Sequence, residues 1–433
     1  MYKQYFKQAW NLIRQEKLFS IIYIIGTGLS VSMVMVLSIV FYMKVANIYP
    51  ETNRDRMLIA KSGIVRSGDS TTSSSLSEYV IKTCFGSLKG MEVLGIMESY
   101  PTDAEVQPEG SPEQIPVTAR FVNTDFWRVF HFRFLSGQAF TVADYQSGLR
   151  TAVIAGSLAR RLFGTVDAVG RYVMMDFVPY RVCGVVQEAS LVTPDTYALL
   201  YIPYTARDDY APDKKNDSTG SLGGFRAYIL AAPGTNLDVL KEEAENNVRR
   251  YSQTLEEGVE FSILGQPDKQ WQTIFRYWSN DVPEYGKLLL TYSLILLILL
   301  LVPAVSLSGM ADSRMERRLA EMGIRRAFGA PVGVLMRQVI SENFLFTLLG
   351  GLFGLLFSYL LLYVTRSWVL QIGASFIDIL PEGTDVVFTP SMLMNWQVFC
   401  IALVVCFLLN LLSSLIPAWR AAHRHIIYSL NAK

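Results

Sequence analysis

Four long stretches of the chain consist almost entirely of apolar residues, and polar or mixed sequence separates them. They run from Leu18 to Met43, from Leu288 to about Met310, from Phe344 to Thr365 and from about Trp396 to Pro417. A helix needs about 20 consecutive apolar residues to cross the hydrocarbon core of a bilayer. The pattern therefore predicts four transmembrane helices. Core helices of a water-soluble protein do not fit stretches of this length and uninterrupted apolarity.

The polar sequence between the stretches sets the expected domain organisation. We expect an amphipathic entry helix over residues 1–17, an extracytoplasmic domain over 44–287, a loop with a short helix over 311–343, an external loop over 366–395 and a tail over 418–433. The predicted fold is thus a membrane α-helical protein of four transmembrane helices (18–43, 288–310, 344–365 and 396–417), with a large α+β extracytoplasmic domain inserted between helices 1 and 2.

Basic residues at the ends of the apolar stretches predict the orientation. They are Lys3, Lys7, Arg14 and Lys17 before the first, Arg314, Arg317, Arg318, Arg325, Arg326 and Arg337 between the second and third, and Arg420, Arg424 and Lys433 after the fourth. By contrast, residues 367–395 contain no Lys or Arg. Because positive charge near span ends stays in the cytoplasm, both termini and the basic loop are expected inside, and residues 44–287 outside.

Alternating patterns within residues 44–287 indicate mixed strands and helices. A helix is predicted from Asn236 to about Thr254, with an inward face of Leu237, Leu240, Ala244, Val248 and Tyr251. A hairpin is predicted around Val178-Pro179, and the polar segments 67–75 and 211–224 are expected to be exposed loops. Phe126, Trp127 and Phe130 lie at helical spacing and are expected in the core.

Small residues recur at four-residue spacing in two of the apolar stretches. Gly350, Gly354 and Ser358 form such a stripe in the third, and Gly26 and Ser30 in the first. Small residues on one face allow another helix to approach closely, so both stripes are predicted helix-packing surfaces.

Composition and motifs provide little sign of chemistry. Charged residues are 18% of the chain, and the formal net charge of +1 says little about partners, among which nucleic acid is not expected. The sequence has no G-x-x-x-x-G-K-[ST] motif for ATP, and its histidines, His131, His423 and His425, lie at no spacing typical of a metal site. Cys84 and Cys183 could be bridged outside the cell or remain free, and the spacing decides neither. We expect a protein that is not an enzyme by itself.

The segment ADSRMERRLAEMGIRRAFGAPVG, residues 311–333, predicts a short basic helix. Gly329 is placed to end this helix, and Pro331 is expected to prevent its resumption. One interpretation is a loop made basic by topology and by anionic lipid headgroups. The other is a rigid helix that docks on a cytoplasmic partner, which the mixture of arginine with Glu316 and Glu321 favours.

The same segment, followed by VLMRQVISENFLFTLLGGLFGLLFSYLL, resembles the permease subunits of the FtsX/MacB family of ABC transporters. Matching positions are Arg318, Glu321, Gly323, Ile324, Arg325, Arg326, Ala327, Gly329, Ala330, Glu342, Gly350, Gly351 and Gly354, and in the tail Pro417, Ala418, Arg420, Ala421 and Ala422. VNTDFWRVFHFRFLSGQAF, AVIAGSLARRLFG and YRVCGVV are similar to the family's extracytoplasmic domain. Two departures are Ile426, where the family has a proline, and the lack of the ATPase domain that MacB carries ahead of its first span.

The resemblance implies a dimeric permease of the bacterial inner membrane that transmits motion and carries out no catalysis. Its coupling helix, residues Arg314, Glu316, Arg317, Arg318, Glu321, Gly323, Ile324, Arg325, Arg326, Ala327, Gly329 and Ala330, would contact a separate cytoplasmic ATPase. ATP and Mg would be bound by that ATPase, with no cofactor on this chain, and an inserted lobe would cover about residues 110–195. The expected function is efflux or extraction of a substrate from the outer face of the membrane.

Further partners implied by the resemblance are a second permease copy, identical or different, membrane lipid, and a periplasmic adaptor, lipoprotein or hydrolase. An alternative function is an FtsX-like regulator that controls a periplasmic cell-wall hydrolase. A third is a four-span receptor without an ATPase, which the coupling motif disfavours.

Overall fold

The computed structural model of the protein describes residues 17–108, 110, 114–211, 217, 219–276, 278, 280–295, 297, 298, 301, 324, 327–329, 331–365 and 396–423. These residues fall into two compact units. The helical unit contains the described residues up to Tyr42 and from Gly286 onward, and the sheet unit contains those from Met43 to Tyr285.

The helices are α1 (Lys17–Val45), α2 (Glu78–Phe85), α3 (Phe126–Val129), α4 (Val142–Gln146), α5 (Gly156–Phe163), α6 (Leu237–Ser252), α7 (Gln270–Thr273), α8 (Val332–Val364) and α9 (Trp396–His423). Single 3-10 turns cover Arg54–Arg56 and Tyr204–Ala206, and residues 285–295 are also helical. The strands are β1 (Met57–Ala60), β2 (Gly63–Ser67), β3 (Ser70–Leu76), β4 (Met91–Glu98), β5 (Thr102–Pro108), β6 (Ile115–Val122), β7 (Phe134–Gly137), β8 (Thr151–Ala155), β9 (Tyr172–Met175), β10 (Val178–Val186), β11 (Leu200–Pro203), β12 (Leu222–Gly223), β13 (Phe225–Ala231), β14 (Val259–Ser262) and β15 (Asp268–Lys269).

Two described helices are long and apolar enough to cross a membrane by length and composition. They cover Ser20–Val45, with mean hydropathy 2.3, and Val332–Val364, with mean hydropathy 2.1. Within α9 a shorter apolar segment runs over Phe399–Leu409. Residues 302–310, in the second predicted span, lie outside the described residues, so the count of four spans stays a prediction.

The strands of the sheet unit form one sheet in the order β11-β8-β10-β9-β5-β6-β4-β13-β3-β2-β14. β11 also pairs with β6 in parallel, Leu200 opposite Ala119, so β5, β6, β11, β8, β10 and β9 close a six-stranded ring. β1 pairs with β13 and β15, β12 with β3, and β7 with β10. The predicted boundaries of the inserted lobe, residues 110–195, stay a prediction.

A large apolar cluster fills the space between the sheet and α2, α5 and α6. The prediction for α6 is confirmed: Asn236 caps the helix, and Leu240, Ala244, Val248 and Tyr251 are buried. Leu237 is only partly buried against the cluster.

A second cluster gathers aromatic rings around α3. Phe126 and Phe130 are buried, as predicted, and Trp127 packs against them with its ring 5.2 Å from that of Phe126. The aromatic ring of Tyr201 from β11 lies 5.4 Å from that of Trp127. This cluster therefore packs α3 against the six-stranded ring.

The structure corrects three local predictions. The segment 211–224 is not exposed throughout, because Ser221 is buried and Leu222–Gly223 form the buried strand β12. Residues 70–75 of the segment expected as a loop belong to β3, whose backbone pairs with β2 while Ser70–Ser73 face solvent. The hairpin turn lies at Asp176-Phe177, with φ of 48° and 67°, instead of at Val178-Pro179. Pro179 is tolerated inside β10 because the pairing of β10 with β8 begins only at Arg181. Proline has no amide hydrogen to donate, and no residue of β8 is paired with Pro179 to accept one.

Candidate functional site

The predicted coupling helix is described at few of its residues. Ile324 and Ala327 are helical, and the amide of Phe328 donates to the carbonyl of Ile324 at 3.1 Å. Gly329 has a φ of +85°, a left-handed conformation that suits a residue just after a helix. The other predicted residues, Arg314, Glu316, Arg317, Arg318, Glu321, Gly323, Arg325, Arg326 and Ala330, lie outside the described residues.

Two exposed apolar side chains stand at the end of this segment. Phe328 is 89% exposed and Ile324 is 49% exposed. Ile324 belongs to the motif that the sequence singles out, whereas Phe328 was missed because an apolar residue next to a membrane stretch attracts no notice. Aromatic residues beside arginine are typical of the energetic centre of a protein interface.

The chain becomes helical again immediately after the coupling segment. Pro331 caps α8, which begins at Val332, ahead of the start predicted at Phe344. Pro331 itself is extended, so the coupling helix does not continue through it, as expected; a separate helix begins directly after it, since proline is well tolerated at helix N-termini, where amide hydrogens have no helical partner. The coupling segment is thus joined to a membrane-length helix by a turn of about three residues.

Within the helical unit, α8 approaches α1 at backbone distance. A Cβ on Gly354 would lie 2.5 Å from the carbonyl oxygen of Gly28 and 2.9 Å from the Cβ of Val31. A Cβ on Gly350 would lie 2.8 Å from the Cβ of Thr27. Real Cβ atoms do not come this close, so the crossing requires glycine at these positions.

The partners of these glycines differ from the predicted stripe on the first span. Thr27, Gly28 and Val31 of α1 form the contact, whereas Gly26 and Ser30 are only partly buried. The hydroxyl of Ser30 donates to the carbonyl of Gly26 within the same helix. Ser358, the third residue of the stripe on α8, is buried and donates to the carbonyl of Leu355.

Polar side chains are buried near the start of α8. The amide of Gln338 donates to Glu342 at 3.1 Å, and Glu342 is fully buried. The hydroxyl of Tyr23 in α1 lies 3.5 Å from Oδ1 of Asn343, and its ring lies 5.1 Å from that of Phe346. Directional contacts of this kind fix the register of α1 against α8 better than apolar packing alone.

In the sheet unit, a buried arginine holds the end of α1. The guanidinium of Arg54 donates to the carbonyls of Met43 and Ala46, at 2.8 and 3.0 Å, and to Glu51 at 2.7 Å. It also donates to the carbonyl of Val192 at 3.4 Å. The last carbonyls of a helix have no helical donor, so Arg54 satisfies them from within the fold. We name this group the Arg54 anchor.

A second buried arginine holds the segment that precedes residues 285–295. The guanidinium of Arg276 forms an ion pair with the buried carboxylate of Asp268 and donates to the carbonyls of Leu264 and Asp281. The hydroxyl of Tyr285 donates to the same carboxylate at 3.1 Å. We name this group the Arg276 anchor; it stands beside the start of the second predicted span.

Neither anchor was found from the sequence. Arginines close to the ends of apolar stretches are normally interpreted as signals of membrane orientation. A sequence does not show whether such an arginine is buried. A signal was present for Arg54, which follows Glu51 at a spacing of three between the end of α1 and β1.

The structure provides no chemical centre among its described residues. No group of three His, Cys, Asp or Glu side chains there could hold a metal ion. Cys84 and Cys183 are free, and burial raises the pKa of each thiol to about 12, so both are protonated at neutral pH. The expectation that this chain binds no cofactor stays a prediction.

Comparison with protein families gives two matches along the chain. Residues 20–247 match the MacB-like periplasmic core domain, and residues 293–426 match the FtsX-like permease C-terminal domain. The first match covers most of α1 and the sheet unit as far as residue 247, within α6, and the second covers α8 and α9.

Curated relatives are similar over much of the chain. One is the pyoverdine export ATP-binding/permease protein PvdT of Pseudomonas aeruginosa, 26% identical over 54% of this chain and 33% of its own length. Another is the uncharacterised ABC transporter permease YknZ of Bacillus subtilis, 23% identical over 79% of this chain and 77% of its own length. The chain thus spans about a third of the first relative and most of the second.

Among solved structures, the extracellular domain of the ABC-type transporter YknZ from Gram-positive bacteria is similar, at 17% identity and a TM-score of 0.33. The likeness covers 46% of this chain and 99% of that domain.

Proposed function

The chain belongs to the MacB/FtsX family of ABC transporter permeases, and from that premise we propose that it transmits motion from a separate cytoplasmic ATPase to its outer domain. In this proposal ATP and Mg are bound by the ATPase, and the permease acts as a dimer, with a second copy of the same or a related chain. Its four spans lie in the bacterial inner membrane with both termini in the cytoplasm. The transmitted motion drives efflux or extraction of a substrate from the outer face.

The observation that carries the proposal is the continuity of the coupling segment with α8. The arginine motif ends at Gly329, and α8 begins at Val332, so a displacement of the motif acts directly on the inner end of α8. The side chains of Ile324 and Phe328 are exposed, and in the sequence these two residues flank Arg325 and Arg326. A segment that combines basic and apolar residues in this way suits an ATPase groove better than lipid attraction alone.

The contact of α8 with α1 supports the next step. Where Gly354 meets the carbonyl of Gly28 there is no flexible side chain to absorb a displacement. Close-packed contacts of this kind have low compressibility. A shift of α8 is therefore passed to α1 instead of being lost in rotamer changes.

The two anchors support the last step. The Arg54 anchor ties the end of α1 to Glu51 and Val192, and the Arg276 anchor ties the segment before residues 285–295 to Asp268 and Leu264. Both are groups of charge-assisted hydrogen bonds shielded from water, which are short and directional. In this proposal the two anchors hold the segments through which the chain enters and leaves the outer domain.

The docking step is tested by the double substitution Arg325→Glu with Arg326→Glu. The full chain is co-expressed with its ATPase in membranes, and co-purification and ATPase stimulation are measured. We expect the association to weaken by at least about tenfold, because two attractive charges become repulsive. Phe328→Ala should weaken it less, through loss of apolar contact.

A matched control is the adjacent pair Arg249→Glu with Arg250→Glu, exposed on α6 in the outer domain. This variant should keep full association and stimulation. Equal behaviour of the two double variants, or labelling of residues 316–330 from the outside of intact cells, contradicts the proposal. Recovery of a periplasmic cell-wall hydrolase together with the ATPase would favour the regulator over the exporter.

A further inference from the structure

The sheet unit contains an open cavity of about 670 Å³. Its walls come from the start of α2, the end of β4, the segment after the Tyr204–Ala206 turn, β12 and β13, and the end of α6. This volume lies within the range of small-molecule sites, about 300–1,000 Å³. Neither the coupling segment nor the anchors use it.

Aromatic rings form much of the wall. They are contributed by Tyr79, Tyr100, Tyr210, Phe225 and Tyr251. Tyr79, in α2, is 59% exposed, and Tyr100, in the bend between β4 and β5, is 49% exposed. Tyr79 is held edge-on against Tyr251, with ring centroids 6.3 Å apart. Exposed rings that are fixed in this way present π faces to whatever enters the cavity.

Among the lining residues that the structure describes, carboxylates outnumber basic groups. Glu78, Glu98 and Asp209 face one basic lining residue, Arg207. Glu78 accepts hydrogen bonds from the hydroxyls of Tyr204 and Tyr210, both at 2.7 Å, and from Lys82. Burial alone would raise the pKa of Glu78, but these donors outweigh it and hold the pKa below its ordinary value, so the group is ionised at neutral pH.

Arg207 is fully engaged by its neighbours. Its Nη1 donates to both oxygens of Glu98, at 2.7 and 2.9 Å, and its Nε and Nη2 donate to Asp209, at 2.8 and 2.9 Å. The guanidinium also stacks 4.8 Å from the ring centre of Phe121. With two carboxylates around one guanidinium, this group of three described side chains has a formal net charge of −1, and Arg207 offers little to an anionic ligand.

We propose that this cavity binds an organic cation, a protonated amine or guanidinium carried on an apolar body. The charge would lie near Asp209 and Glu98, and the body would lie against the rings of Tyr79 and Tyr100, since aromatic faces and carboxylates both attract a cation. Tyr100 already accepts one such contact, from the guanidinium of Arg226 at 5.7 Å. That the bound cation is the exported substrate rests on the proposed function; that it binds does not.

The test measures binding to the full chain in lipid nanodiscs without ATP or an ATPase. The probe is dansylcadaverine, whose amine is protonated at neutral pH, and the reference is its N-acetyl derivative, which has the same body and no charge. We expect saturable binding of the amine and at least about tenfold weaker binding of the neutral reference. Equal affinity for the two, or tighter binding of a dansyl carboxylate, overturns the proposal.

Substitutions locate the site. Asp209→Asn and Tyr100→Leu should each weaken binding of the amine by about three- to tenfold. Matched controls are Asp125→Asn, another carboxylate paired with a nearby arginine, and Tyr172→Leu, another tyrosine that is 43% exposed. The controls should bind as the unaltered chain does; a loss in them equal to that in the cavity variants places the probe elsewhere and overturns the proposal.

The result is separable from that of the docking test. The Arg325→Glu, Arg326→Glu variant should bind dansylcadaverine normally while it loses association with the ATPase. If the arginine variants contradict docking on the ATPase, the measured binding of dansylcadaverine still supports the cation site. If dansylcadaverine does not bind, the result of the ATPase association test is unaffected.

Discussion

In the helical unit the closest contacts between helices occur at glycine residues, whereas in the sheet unit the corresponding contacts are made by large, charged side chains. Gly28, Gly350 and Gly354 let two backbones touch. In the sheet unit, Arg54 and Arg276 are both almost completely buried and bonded to carboxylates and carbonyls.

This difference follows from the two solvents. In lipid there is no hydrophobic drive between helices, so association depends on close van der Waals contact, which small residues provide. In water, burial of the apolar cluster drives the folding of the sheet unit through the hydrophobic effect. Buried ion pairs add directional contacts, and the loss of one partner is costly. The two units are thus stabilised by different kinds of contact.

The largest expected effect comes from breaking the Arg54 anchor. Arg54→Met leaves the Glu51 carboxylate, 2% exposed, without its ion-pair partner and frees the carbonyls of Met43 and Ala46. We expect a loss of about 3–5 kcal/mol in the free energy of unfolding of the sheet unit, because an uncompensated buried charge remains. Hydrogen exchange of β1 and β13 peptides in the full chain measures it.

The exposed pair of Arg128 and Asp125 provides the control for this comparison. Arg128→Met should cost at most about 1 kcal/mol. The double substitution Glu51→Leu with Arg54→Met should recover part of the loss, and the remainder reports the freed carbonyls. If Arg54→Met costs no more than Arg128→Met, the sheet unit does not depend on buried charge as argued here.

An intermediate effect is expected for Gly354→Ala in the helical unit. The added methyl group would lie 2.5 Å from the carbonyl oxygen of Gly28, so α1 and α8 must move apart. We expect a loss of about 1–3 kcal/mol in helix packing, the usual cost of overfilling a close contact. Thermal unfolding of the full chain in detergent measures the loss, and ATPase stimulation should fall with it.

Gly333→Ala provides the matched control, since Gly333 is in the same helix and nothing lies within 4 Å of the position of its Cβ. Alanine also favours helix, so this variant should be neutral or slightly more stable. Equal melting temperatures for the two variants would show that the glycine contact does not hold the helices together.

Periodicity predicted those elements whose packing is local. The buried face of α6 and the end of the coupling helix at Gly329 follow from patterns within one helix. The position of β3 does not, because Ser70–Ser73 are exposed and the strand is specified by backbone pairing with β2 instead of by apolar residues. Closure of the ring by β6 and β11 joins residues about eighty positions apart, which a sequence pattern does not reveal.

The sequence predicted the kind of contact between α1 and α8, a close approach at small residues, but not which residues of α1 make it. Small-residue stripes occur on two faces of α1, and the sequence does not decide between Gly26 with Ser30 and Thr27 with Gly28. The choice depends on the rotation of α1 against α8, which Tyr23, Asn343 and Phe346 help to fix. The anchors escape prediction for a related reason: charge near a span is visible in a sequence, but burial is not.

The smallest effect on stability is expected for Glu78→Gln, and this effect depends on pH. Glu78 has a pKa below its ordinary value of 4.5, because the donors Lys82, Tyr204 and Tyr210 stabilise its ionised form more than burial opposes it. A carboxylate of this kind contributes stability that is fully present above its ordinary pKa and is lost as pH falls through the lower folded value. At pH 7 we expect Glu78→Gln to reduce the opening free energy of α2 by about 0.5–1 kcal/mol.

Below pH 4.5 the difference between the unaltered chain and Glu78→Gln should shrink, since the unaltered carboxyl then becomes protonated as well. Hydrogen exchange of α2 peptides at pH 7 and at pH near 3.5 measures both differences in the full chain. The α1–α8 contact at Gly28 and Gly354 contains no titratable group, so the effect of Gly354→Ala should be the same at the two values of pH. A pH-independent effect of Glu78→Gln would mean that shape, and not charge, holds this corner of the sheet unit, and the contrast between the two units would lose its electrostatic part.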